Sequence, residues 1–213
     1  MGKNFFNRDD RDTKFVLFEW LKITELLNYE AYKDFSREDF EMILQEAQKL
    51  CKEVLGPANQ DGDREGCTYT DGEVSVPQSF HNCWKVMREN SWIALSSSPE
   101  FGGQGLPASL AGLVAEFFVA ANMAFMTYPG LTIANARVIQ HFGTDGDRNL
   151  FLEKMNAGVW TGTMCLTEAD ALGPRRTSFN PSQDQVDDVF CQVVISAGDK
   201  ALTTLNFIYS RVF

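Results

Sequence analysis

Apolar residues recur at helical spacing through most of the first 158 positions of this chain. Residues 13–27 carry Phe15, Phe18 and Leu21 with Trp20, Ile23 and Leu27, a wide apolar face that predicts a helix. Ser36 is a favourable N-cap for the next helix, and Asp39 stands three residues on as an imperfect capping-box partner. From Phe40 the period is clear through Ile43, Leu44, Ala47, Leu50, Cys51 and Val54, and Gly56-Pro57 is expected to stop it. Residues 59–75 are polar, glycine-rich and aperiodic, which predicts a long surface loop. Pro77 suits the first position of a helix that turns Phe80, Trp84 and Met87 inward. A short apolar run, 92–95, leads through three serines into a glycine-rich turn at 99–105. A long buried helix is expected over 107–128, ending at Pro129-Gly130. Another follows with Ile133, Val138, Ile139 and Phe142, stopping at Gly143, and residues 145–157 form a last amphipathic helix through Leu150, Phe151 and Met155.

The pattern changes after Gly158. Residues 158–168 read as a first strand, and 186–195 and 204–213 are rich in β-branched and aromatic residues. The expected fold class is therefore mainly α with a partial β-domain. Residues 1–35 form an N-terminal extension helix, 36–158 a helical domain and 159–213 an incomplete β-domain. The sequence stops within the last of these strands, at Phe213, which leaves an edge without a cover and reads as a truncation.

Residues 107–128 are long and apolar enough to require a membrane check. Glu116 and Asn122 sit inside the segment and no Lys/Arg asymmetry flanks it, so a buried central helix is the better reading. A formal net charge of -10 argues against a nucleic-acid surface. The five cysteines, Cys51, Cys67, Cys83, Cys165 and Cys191, are scattered and form no C-x-x-C pair, which favours reduced thiols and a cytoplasmic protein. Met1 to Asp12 has no apolar signal region. His81 and His141 stand alone, without metal-ligand spacing.

Candidate chemistry concentrates at 158–168. There Thr161, Gly162, Thr163 and Cys165 interleave with apolar residues, a composition suited to a flat ligand lying on one face. Bland readings compete. Taken alone, Thr167 and Ser196 read more readily as ordinary strand hydroxyls than as ligands. Glu168 reads as a structural carboxylate, Trp160 as core and Cys165 as a small packing residue without a nearby His. The 102–105 loop lacks a following Lys, so it reads as a tight turn and not as a phosphate cradle.

In order and spacing these segments resemble the acyl-CoA dehydrogenase family of flavoenzymes. The turn Pro99-Glu100-Phe101-Gly102-Gly103-Gln104-Gly105 is similar to the one before that family's buried helix. Gly143-Thr144-Asp145, the helix after it and Gly158-Val159-Trp160 resemble a second run, and Met164-Cys165-Leu166-Thr167-Glu168 resembles its M-C-L-T-E signature. Val194-Ile195-Ser196-Ala197-Gly198 is similar to a later F-I-S-x-G strand. The segment from Phe5-Phe6-Asn7 through Leu27 resembles the extra piece of the long branch that includes methylmercaptopropionyl-CoA dehydrogenases.

The resemblance implies the family's N-terminal helical domain followed by the start of its middle β-barrel domain. It implies FAD as cofactor, an acyl-CoA substrate, an electron-transfer flavoprotein as acceptor and a homo-oligomer at full length. The residues it assigns to the flavin are Met164, Leu166, Thr167 and Ser196. It assigns no catalytic residue here, because the family's base comes from a later helical domain. After Glu168 the chain reads Ala169-Asp170-Ala171-Leu172-Gly173-Pro174-Arg175-Arg176-Thr177, where the family has Pro and then Gly-Ser-Asp. The chain alone is therefore expected to be inactive and to hold flavin weakly or not at all. The alternative from another class is a non-catalytic helical interaction module; an oxidase relative is a third reading.

Overall fold

The computed structural model describes residues 4–164, 193–197 and 207–209. Its N-terminal part is not the single helix expected over 13–27. Helix α1 (Arg11–Lys14) widens into a π turn at Phe15–Trp20, Lys22 adopts a left-handed φ of 49°, and short 3-10 turns follow at Ile23–Asn28 and Glu30–Tyr32. A π turn holds one extra residue and rotates the face that follows it. Leu17, Phe18 and Ile23 are consequently buried, whereas Phe15, Trp20 and Leu21 are 60%, 72% and 54% exposed. Arg8 holds this segment down: it donates to Glu116 at 2.6 Å and to Thr13 at 3.2 Å, and its guanidinium lies 4.8 Å over the Phe117 ring.

Ser36 caps α2 (Arg37–Leu50) through a complete capping box, so the shorter Asp39 serves where Glu is usual. The Ser36 hydroxyl accepts from the Asp39 N–H at 3.1 Å, and the Asp39 carboxylate accepts from the Ser36 N–H at 2.8 Å. Gly56-Pro57 does not end this helical run. The chain widens into a π turn at Cys51–Leu55 and continues as α3 (Gly56–Glu65), with Pro57 in the first turn. The Gly56 N–H reaches back to the Cys51 carbonyl, so the proline's missing donor falls at a junction. A Cβ at Gly56 would lie 2.9 Å from that same carbonyl oxygen.

The expected loop over 59–75 is likewise corrected. Its first part belongs to α3, and the rest contains an antiparallel hairpin of β1 (Thr68–Thr70) and β2 (Glu73–Ser75). Asp71 and Gly72, with φ of 52° and 86°, make its two-residue turn. Pro77 is the N-cap of α4 (Gln78–Glu89), one position before the first helical residue, and Phe80, Cys83, Trp84 and Met87 are buried. The glycine-rich segment is a tight turn: Gln104, Gly105 and Leu106 N–H groups donate to the Ala94, Ser97 and Leu95 carbonyls at 2.8–3.0 Å.

The apolar stretch after it is two helices, not one. Helix α5 (Ala108–Ala121) breaks at Asn122, whose φ is -158°, and α6 (Met123–Phe142) runs through Pro129 without stopping. Asn122 stabilises the break twice over. Its carbonyl oxygen caps the Phe125 N–H at 3.0 Å, and its amide donates to the Leu55 carbonyl at 3.2 Å. Thr144 and Asp147 form a second capping box at the start of α7 (Asp145–Asn156). In α7 Phe151, Leu152 and Met155 are buried and Leu150 is exposed.

Among the described residues two hydrophobic clusters result. The larger includes Phe40, Leu44, Leu55, Met87, Leu110, Val114, Phe117, Phe118 and Phe125, and the smaller Ala136, Ile139, Phe151, Leu152 and Met155. Beyond α7, β3 (Trp160–Met164), β4 (Val193–Ala197) and β5 (Phe207–Tyr209) form an antiparallel sheet in that order. A mainly helical fold leading into strands is thus what the pattern predicts. The described strands differ from the expected ranges: Gly158 and Val159 lie in the turn before β3, β4 runs on to Ala197, and the remaining residues of those ranges lie outside the described ones.

Removing the Asn122 side chain should cost about 2 kcal/mol, combining a lost cap with an orphaned buried carbonyl. Urea unfolding of Asn122→Ala checks this, and Asn122→Ser, which keeps a capping oxygen but cannot reach the Leu55 carbonyl, should fall between it and the parent.

Candidate functional site

The strand that carries the candidate chemistry is seated on α6. Thr132 and Asn135, both 0% exposed, lie one helical turn apart on that helix and direct their polar atoms at β3. The Thr132 hydroxyl accepts from the Gly162 N–H at 3.2 Å and lies 3.0 Å and 3.5 Å from the Tyr128 and Gly162 carbonyls. The Asn135 amide donates to the Thr163 carbonyl at 2.8 Å. Its own carbonyl oxygen is buried without a hydrogen-bond partner. Gly162 permits this approach, since a Cβ there would meet Asn135 Nδ2 at 2.6 Å, Asn135 Cβ at 2.9 Å and Met155 Cε at 3.1 Å.

This contact reassigns the glycine. From composition, Gly162 belongs to the open face offered to a flat ligand; in the fold it faces α6 and α7. Alternation along a strand then puts Trp160 on the same side as Gly162, and Thr161 and Thr163 on the other. Trp160 is half-buried, with its ring 5.9 Å from Phe151 and the Lys154 ammonium 4.1 Å over its face, so it packs on the small cluster.

Pairing of β3 with β4 joins two of the candidate residues in one sheet. Met164 stands opposite Val193, and Ser196 stands opposite Thr161, three positions back along β3. Leu166 and Thr167 lie outside the described residues, as do Cys165, Glu168 and 169–177. Thr132 and Asn135 were not singled out by the sequence reading. Their signal is two polar residues spaced i, i+3 within an otherwise apolar helical pattern.

Other chemistry-bearing groups lie elsewhere. Burial pushes the Cys51 and Cys83 thiols up to about 12, whereas Cys67 is exposed beside Tyr128, whose phenol is itself raised to about 12, chiefly by burial. A cleft of about 450 Å³ is lined by Ser98, Glu100, Phe101, Gln140, Asp145 and Arg148. Arg148 spends its bonds within the fold, on the Gln140 carbonyl at 3.0 Å and the Asp145 carboxylate at 2.8 Å. Among the described residues no group of three His, Cys, Asp or Glu side chains is disposed to hold a metal, and no helix is long and apolar enough to cross a membrane.

Comparison with known proteins matches residues 37–159 to the family model of the acyl-CoA dehydrogenase N-terminal domain. The chain is 30% identical over 164 residues to a 3-methylmercaptopropionyl-CoA dehydrogenase of Ruegeria pomeroyi, covering 76% of this chain and 27% of that protein. A butyryl-CoA dehydrogenase of Syntrophomonas wolfei is 33% identical over 165 residues, with the same coverages, and a second from that organism is 31% identical over 179 residues. The chain thus spans little more than a quarter of the length of the curated relatives it matches.

The thiol environments predict a pH and labelling pattern. With iodoacetamide at pH 8, Cys67 should be alkylated in the folded chain, and Cys51 and Cys83 only on unfolding. Folded Cys51 and Cys83 keep protons that the unfolded chain releases from about pH 9. Stability should therefore be full below pH 9 and decline as pH rises toward 12, read as a falling urea midpoint. Labelling of Cys51 as fast as Cys67 would contradict this burial.

Proposed function

The chain belongs to the acyl-CoA dehydrogenase family, and on that premise we propose that it supplies the helical wall and first flavin-contacting strands of an FAD-dependent acyl-CoA dehydrogenase. One observation supports this reading: the β3–β4 register sets Ser196 opposite Thr161 in the sheet whose first strand ends at Met164, while Gly162, on the other side of β3 from Thr161, packs against α6 and α7. On the side of β3 away from α6 and α7, Thr161 is buried and Thr163 is half-buried. In this proposal a planar ring lies beyond Thr163, on the side that does not carry the Gly162–α6 contact.

In this reading the backbone N–H groups at Leu166 and Thr167, with the Thr167 hydroxyl, hold the pyrimidine edge. Met164 belongs to the same segment, and Ser196 approaches from β4. Bound flavin supplies the hydride acceptor for the β-carbon of the thioester. The helices exclude water from that step, which strengthens the polar contacts around it. Thr132 and Asn135 reach β3 as neutral groups, so neither takes the α-proton. That base comes from outside the described residues, and turnover by these 213 residues alone is not expected.

The named relatives act on butyryl and methylmercaptopropionyl thioesters, which favours a short acyl-CoA as substrate. An electron-transfer flavoprotein then takes the electrons, in the cytoplasm, from a homo-oligomer of the full-length protein. Exposed Phe15, Trp20, Leu21 and Tyr29 favour a second reading, an interaction module that pairs through this N-terminal patch.

The test is a titration of the purified chain with FAD, followed in the visible spectrum, with acyl-CoA-dependent dye reduction measured alongside. A weak, saturable and protein-perturbed flavin band without turnover is expected. A flavin spectrum identical to that of free FAD throughout would overturn binding by these strands, and turnover would overturn the assignment of the base elsewhere. Self-association in light scattering without any flavin band would favour the interaction module.

A further inference from the structure

We propose that Thr132 and Asn135 are positioning residues that set the height and register of β3 against α6, and so the starting point of the flavin-contacting segment 164–167. The inference rests on the flavin reading above for its consequence, and on the helix–strand geometry for its substance.

Two fully buried polar side chains on an apolar helix lose hydration, and they remain worthwhile only where they find partners. Here the partners are backbone groups of consecutive strand residues: the Gly162 N–H to Thr132, and the Thr163 carbonyl to Asn135. Both contacts name a particular backbone position. A one-residue slip of β3 would replace Gly162 with Thr161 or Thr163 at the point where a Cβ already meets Asn135 at 2.6–2.9 Å. The same slip would exchange the two faces of the strand. Polar bonds to the backbone and steric exclusion at one glycine therefore specify the same register. A buried face also resists that exchange, but only the polar bonds name individual backbone positions.

Met164 is the next residue after this anchored pair and the last of β3. Residues 165–167 follow it directly in the sequence. Thr132 and Asn135 thus act on flavin through the strand and touch neither substrate nor cofactor in this scheme.

The test uses the 213-residue chain. Amide hydrogen exchange at Gly162 is read without flavin in the parent, Thr132→Val, Thr132→Ser and Asn135→Ala, and FAD titrations are read in parallel. Thr132→Val preserves shape and removes the hydroxyl; it should speed Gly162 exchange about tenfold and weaken the flavin band, with exchange in α2 and α5 unchanged. Thr132→Ser should restore both, and Asn135→Ala should weaken the band. Parental protection at Gly162 in Thr132→Val overturns the anchor. Lost protection with an unchanged flavin titration overturns its positioning role. A parent chain that perturbs no flavin defeats the flavin reading instead, and the exchange comparison then still decides the anchor.

Discussion

Helix α6 is the member on which the rest of the molecule depends, because it belongs to both hydrophobic clusters and to the strand interface between them. Phe125 and Met126, near its start, are buried in the large cluster with Phe80 and Phe117. Ala136 and Ile139, near its end, are buried with Phe151 and Met155. Between them Thr132 and Asn135 bond to β3. A helix that stopped at Pro129 would have cut this connection. Loss of one ladder bond at the proline is offset by burial along the helix, since Pro129 is itself buried.

Asn122 shows how a break is placed when propensity alone does not place it. The stretch from Ala108 to Tyr128 is apolar enough to continue as one rod, yet it turns where a single amide caps α6 and pairs with a carbonyl at the π turn of another helix. The two π turns work in a related way. Each inserts a residue and rotates the following face, which exposes Trp20 and Leu21 in the first case and accommodates Pro57 in the second.

Membership of the acyl-CoA dehydrogenase family was legible in motif order, because turn, buried helix and strand signatures follow one another at consistent spacing. The site was legible only in part. Polar residues in a strand with small neighbours point to a ligand face, but the inward or outward assignment of Gly162 depends on which helix covers it. Two polar residues in an apolar helix looked unremarkable beside motif residues, since their partners are backbone atoms that leave no mark in sequence.

Sequence by itself determined what depends on near neighbours: the cap at Ser36, the inward faces of α2 and α4 and the change from helix to strand after Gly158. These follow from bonds and periods spanning a few residues. Tertiary structure alone decided the break at Asn122, the passage of α6 through Pro129, the exposure of Phe15 and Trp20, and the face that Gly162 presents. The first and last of those turn on a group contributed from far along the chain: Leu55 opposite Asn122, and Asn135 opposite Gly162. Local propensity carries no record of such partners until packing brings them together.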